Sequence, residues 1–114
     1  PREYSGDERM VTAAVLSFEA ASWKKTGCLA TSDNFPSPKD KIESLRSAGI
    51  DTMDMEASAF HHAALLFGIP ALAIRSVSNE LDASGGDEAI ASADIRTADR
   101  PAAIALDIIE TLSF

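Results

Sequence analysis

Apolar positions along the chain fall into segments of two different periods. Between Asp7 and Lys25, the residues Met10, Ala13, Ala14, Ser17, Phe18 and Ala21 recur at three-and-four spacing, which is one face of a helix. Asp7 and Glu8 at its start and Lys24 and Lys25 at its end suit the helix dipole, and Gly27 ends it. Cys28 to Ala30 is a short apolar run opening into Thr31, Ser32, Asp33 and Asn34, the pattern of a buried strand that leads into a polar loop. After a prolyl turn at Pro36 to Pro38, Lys39 to Ala48 predicts a helix with Ile42 and Leu45 inward and Gly49 at its end. Ile50 to Met55 predicts a second strand. Glu56 to Phe67 predicts a helix with Ala57, Phe60, Ala64 and Phe67 on one face and a second apolar strip at Ala59, Ala63 and Leu66, so it is expected to be covered on more than one side. Pro70 to Val77 is almost uniformly apolar, as a strand covered on both faces would be. Thr97 to Leu112 predicts a last helix with Ala103, Leu106, Ile109 and Leu112 inward.

Helices and strands in alternation imply parallel strands joined by crossover helices, hence an α/β fold with a mostly parallel sheet in three layers and helices on both faces. With 114 residues the chain is long enough for one domain, residues 1–114, and too short for two. In this architecture, functional groups gather where strands hand over to loops at their carboxyl ends. Three such ends carry unusual polarity: Ser32, Asp33 and Asn34; Asp54 and Glu56; Arg75, Ser78 and Asn79. The uncharged stretch from Ala57 to Ala73 is divided by Gly68, Ile69 and Pro70, which fits two short elements and a turn better than a membrane span of about 20 residues.

Charge narrows the partners. Ten basic against eighteen acidic residues give a formal net charge of -8, a poor match to a nucleic-acid backbone or an anionic membrane. Apolar residues at 46% and charged residues at 25% are the balance of a globular domain with a core. Cys28 is the only cysteine, which rules out an intramolecular disulfide and all-cysteine zinc sites. With no basic-then-apolar leader ahead of the first helix, a cytoplasmic setting is the expectation.

Glu56 opens a helix directly after Met55, and two readings stand: a carboxylate capping the first turn together with Asp54, or an acceptor for a diol or amine. Arg75, at the end of an apolar segment, calls for Asp54, Glu56 or another carboxylate beside it. Ser78 and Asn79 offer donors and acceptors to the edge of a planar ligand. His61 and His62 are adjacent, so on a helix they point about 100° apart and cannot form an i,i+4 metal pair; they read as core or interface histidines. Gly85 and Gly86 complete no phosphate-loop or dinucleotide fingerprint, and no cofactor or metal is expected. The acidic stretch from Leu81 to Asp94 reads either as a lid over a ligand or as a solvent loop.

Thr31-Ser32-Asp33-Asn34-Phe35, then Met53-Asp54-Met55-Glu56-Ala57-Ser58-Ala59, then Gly68-Ile69-Pro70 through Ile74-Arg75-Ser76-Val77-Ser78-Asn79, resemble the carboxyl-terminal half of the nucleoside phosphorylase and nucleosidase superfamily. Nearest in pattern are the methylthioadenosine/S-adenosylhomocysteine nucleosidases and futalosine hydrolases. The resemblance implies a phosphorylase/hydrolase-like fold and a site for a purine nucleoside. Phe35 would stack on the base, Met55 would pack against the ribose, and Glu56 would hold the ribose hydroxyls. Ser78 and Asn79 would face the purine N7 region, supported by Arg75. Glu56 and Asn79 are thus the expected catalytic residues. Hydrolysis of the N-glycosidic bond is the activity implied first; phosphorolysis and nucleoside binding without catalysis are its rivals. The nucleosidase pattern has aspartate at the position of Asn79, and asparagine carries no titrating proton, which suits a 6-oxopurine better than adenine. The superfamily's amino-terminal half has no counterpart here, so the chain is expected to be the carboxyl-terminal part of a longer domain. A homodimer or higher oligomer is expected to cover the outer face of the Glu56 to Phe67 helix.

Overall fold

The computed structural model describes residues 3–20, 26–34, 38–78 and 99–112. Among them the elements run α1 (Glu8–Ala20), β1 (Leu29–Thr31), α2 (Lys39–Ser47), β2 (Thr52–Asp54), α3 (Ala57–Phe67) and α4 (Asp99–Leu112). β1 and β2 pair in parallel, with Leu29 opposite Thr52, Ala30 opposite Met53 and Thr31 opposite Asp54. A parallel pair needs a crossover, and α2 supplies it. The fold is a small α/β arrangement in which a parallel two-stranded sheet is flanked by helices.

Where the ladder begins, backbone and side chain come unusually close. A Cβ added at Gly27 would stand 2.5 Å from Asp51 Oδ2. The bare glycine lets Asp51 accept the Cys28 amide at 2.9 Å, while the Asp51 amide donates to the Cys28 carbonyl at 2.9 Å. At the far end of α3, Gly68 adopts φ 66°, the left-handed cap that glycine reaches without a steric penalty.

α1 starts at an aspartate cap. Asp7 Oδ1 accepts the amides of Arg9 at 3.1 Å and Met10 at 3.2 Å, two of the donors that a helix start leaves unpaired. The Asp7 amide in turn donates to the Ala71 carbonyl at 2.9 Å, tying the helix start to the segment after α3. α1 and α4 form the main core, in which Ala13, Ala14, Ile104 and Ile108 are buried and Met10, Leu72, Ile74 and Leu112 pack around them. Ser17 adds a hydrogen bond to Asp107 Oδ2 at 2.6 Å. The expected continuation of α1 through Lys24 and Lys25 lies outside the described residues.

Three expectations are corrected. In α4 the inward face is Ile104 and Ile108, while Ala103 is exposed and Leu106 and Ile109 are 61% and 57% exposed. The helix is apolar on both strips, and the branched side chains of Ile104 and Ile108, four residues apart, are the ones that fill the space beside Ala13 and Ala14. In α3 the buried residues are the small ones, Ala57 and Ala64; Phe60 and Phe67, expected on the same covered face, are 56% and 78% exposed in the single chain. Pro70 to Val77 joins no ladder: residues 70–78 carry no strand pairing, and the described sheet has two strands. The apolar side chains of Leu72 and Ile74 are used in packing against α1 and α4, which accounts for their hydropathy without a covered sheet. His61 and His62 are half-buried against Tyr4, whose hydroxyl lies 2.8 Å from His62 Nδ1 and whose ring stacks on His61. No described helix is long and apolar enough to cross a membrane.

The α4 register has a direct consequence. Ile104→Ala should cost about 3 kcal/mol in urea unfolding, the usual cost of emptying a buried isoleucine site, whereas Leu106→Ala should stay within about 0.5 kcal/mol. The α1 cap should also be visible in pH dependence. The Met10 amide, with help from Arg9, holds the Asp7 carboxyl below its ordinary 3.8. A depressed pKa means the stabilisation is present above 3.8 and disappears as pH falls through the lowered value. Asp7→Ala should therefore lower the melting temperature at neutral pH, by an amount that shrinks as pH falls below 3.8.

Candidate active site

The carboxyl ends of β1 and β2 meet at the Thr31 and Asp54 pair. Thr31 donates its hydroxyl to Asp54 Oδ1 at 2.7 Å and accepts the Ser58 amide at 2.9 Å. Asp54 Oδ2 accepts the Ala57 amide at 3.0 Å. One carboxylate thus closes the end of β1 onto β2 and caps the first turn of α3. The Ser32 amide donates to the Asp54 carbonyl at 2.9 Å, which extends the pairing one residue past the strand.

Arg75 completes the cluster from the segment after α3. Its Nη2 donates to Asp54 Oδ2 in a short hydrogen bond and to Glu56 Oε2 at 3.2 Å. The three side chains differ sharply in access: Asp54 is 9% exposed, Arg75 44% and Glu56 69%. Glu56 is the N-cap residue of α3, yet its side chain makes no capping hydrogen bond. Capping belongs to Asp54, and the Glu56 carboxylate is held from one side by Arg75 and open to solvent on the other. Two carboxylates and one guanidinium leave a formal charge of -1 at the strand ends.

Of the residues singled out in the sequence, Asp54, Glu56 and Arg75 are in direct contact, and Met55, 46% exposed, lies between the two carboxylates in the chain. Ser78 is exposed at the end of the segment that carries Arg75. Phe35, Asn79 and the stretch from Leu81 to Asp94 lie outside the described residues. Two contributors were not apparent as such in the sequence. Thr31 was visible only as the start of a polar loop, although a threonine ending a strand beside a second strand ending in aspartate was an available signal. Lys41 places its ammonium 2.7 Å from Ser32 Oγ, and its signal was a cation in a first helical turn, where the dipole disfavours it. Among the described residues no group of three or more histidines, cysteines or acidic residues is placed to hold a metal ion.

A parallel sheet whose strand ends gather an exposed carboxylate, its arginine partner and a buried organising aspartate defines an α/β protein with a site at the strand termini. The family profile described as the phosphorylase superfamily matches residues 1–110. The chain belongs to this superfamily, which contains both nucleoside phosphorylases and nucleoside hydrolases. A comparison with curated proteins gives no match.

Removing the Asp54 carboxylate should be felt by Thr31, Ala57 and Arg75 together. Asp54→Ala should lower stability by about 2 kcal/mol, the scale of leaving buried hydrogen-bond partners unsatisfied. Thr31→Val should cost about 1 kcal/mol by loss of one such bond. Chemical denaturation of both variants, with helicity followed by circular dichroism, measures these values.

Proposed function

We propose that the chain acts in cleavage of the N-glycosidic bond of a purine nucleoside, with Glu56 as the carboxylate that holds the ribose hydroxyls. The observation that carries this reading is that Glu56 makes no capping bond, is 69% exposed, and is fixed by Arg75. A carboxylate freed from capping and steadied by a guanidinium has acceptor sites left for a diol. The sugar becomes cation-like as the bond to the base breaks, and a negative group beside it favours that state over the ground state. The base leaves with the bonding electrons. Ser78 and Asn79 are proposed to offer hydrogen bonds at N7, with Phe35 and Met55 against base and sugar, as the family likeness of their motifs suggests.

The acceptor of the sugar is read first as phosphate, because the matched family takes its description from the phosphorylases. Water is the second reading, supported by the likeness of Met53 to Ala59 and of Ile74 to Asn79 to the nucleosidases. A cytoplasmic setting and a homo-oligomer belong to the same proposal. The oligomer draws its support from the exposed Phe60, Leu66 and Phe67 of α3.

The test is release of free base from a panel of purine nucleosides, with and without phosphate, by wild type and Glu56→Gln. Glu56→Gln should lower turnover on the order of 100-fold while leaving the melting temperature nearly unchanged, since Asp54 carries the cap. Dependence on phosphate selects phosphorolysis, and release in its absence selects hydrolysis. Equal turnover by wild type and Glu56→Gln contradicts the role given to Glu56.

A further inference from the structure

Ser32 is a buried polar residue, at 9% exposure. It follows directly on β1, at the strand end that the active-site cluster shares. Its hydroxyl oxygen accepts Lys41 Nζ at 2.7 Å and the Asn34 amide at 3.4 Å, and the Asn34 carbonyl lies 3.5 Å from it. A hydroxyl has two lone pairs and one proton, so these three contacts use its whole capacity. The short contact is the one to lysine, and the turn from Ser32 to Asn34 is organised around it.

Lys41 occupies an unfavourable place on its own helix. It is the third residue of α2, in the first turn, where the positive end of the dipole repels a cation. Among the described residues it has no carboxylate partner, and its single hydrogen bond crosses from α2 to the neutral Ser32 hydroxyl. A lysine that serves only solubility would extend into water from this position. Lys41 is half-buried instead, with its ammonium on the residue that follows β1.

We infer that Lys41 is a positioning residue: its ammonium locks Ser32, and through Ser32 it fixes the Ser32 to Asn34 turn that borders the site. This inference rests on the proposed nucleoside reading in one respect, that the turn lines the pocket for the base. Lys41 touches neither Glu56 nor Arg75, so its effect falls on binding. An interaction that supports ground state and transition state alike changes KM and leaves kcat in place.

The experiment uses the full-length protein and the variants Lys41→Met, Lys41→Arg, Ser32→Ala and the double variant Lys41→Met with Ser32→Ala. Amide hydrogen exchange at Asn34 is measured without nucleoside, and KM and kcat are measured on whichever purine nucleoside wild type cleaves. Lys41→Met keeps the stem and removes the charge; exchange at Asn34 and KM should each rise about tenfold, the scale of a lost hydrogen bond to a charged group, with kcat within about twofold. Lys41→Arg should restore both, and Lys41→Met should add nothing once Ser32 is alanine. Unchanged exchange at Asn34 in Lys41→Met overturns the inference whether or not the enzyme turns over. An equal effect of Lys41→Met with and without the Ser32 hydroxyl does so too. Absence of base release by wild type, with exchange at Asn34 still rising in Lys41→Met, overturns the nucleoside reading and leaves the lock standing.

Discussion

The site depends on the Asp54 carboxylate. It stands at the end of β2, nearly buried, and receives the Thr31 hydroxyl, the first amide of α3 and the Arg75 guanidinium. A buried carboxylate without partners would be costly, and its cost is offset only when every lone pair finds a donor. Those donors come from β1, α3 and the segment after α3, so satisfying one residue brings three distant stretches of the chain to one point. Two strands of three residues each would hold such an arrangement weakly by backbone pairing alone.

Glu56 acquires its character from this division of labour. Two acidic residues at a helix start would ordinarily compete for the same amides. Asp54, set back at the strand end, takes the Ala57 amide, and Glu56 is left outward with Arg75 at its side. An exposed ion pair of this kind contributes little to stability. Its significance is orientation: the guanidinium limits where the carboxylate can swing while leaving it open to a ligand. Membership in the phosphorylase superfamily gives that open carboxylate a context in nucleoside chemistry.

Local signals in the sequence were strong where one physical cause dominated. The period of α1, its acidic start at Asp7, the break at Gly68, and the need of Arg75 for Asp54 or Glu56 all reappear in the structure. The sequence was ambiguous where two faces were equally apolar. α4 offers Ile104 and Ile108 on one strip and Leu106 and Ile109 on another, and only the presence of Ala13 and Ala14 opposite decides between them. α3 inverted the usual expectation, burying alanines and exposing phenylalanines, which the spacing of its apolar positions does not reveal. Pro70 to Val77 has the hydropathy of a strand, yet Leu72 and Ile74 within it pack on α1 and α4, and no period distinguishes the two uses. The tie from Lys41 to Ser32 spans two elements, which a linear pattern does not encode.

The central claim is that the Glu56 carboxylate holds the ribose hydroxyls. The most direct measurement compares, by calorimetry, the affinities of a purine ribonucleoside and its 2′,3′-dideoxy counterpart for wild type and for Glu56→Gln. The account predicts that wild type prefers the ribonucleoside by about tenfold or more, the scale of hydrogen bonds to a charged acceptor, and that most of this preference is lost in Glu56→Gln. A preference of the same size in both proteins would place the recognition of the ribose elsewhere and contradict the account.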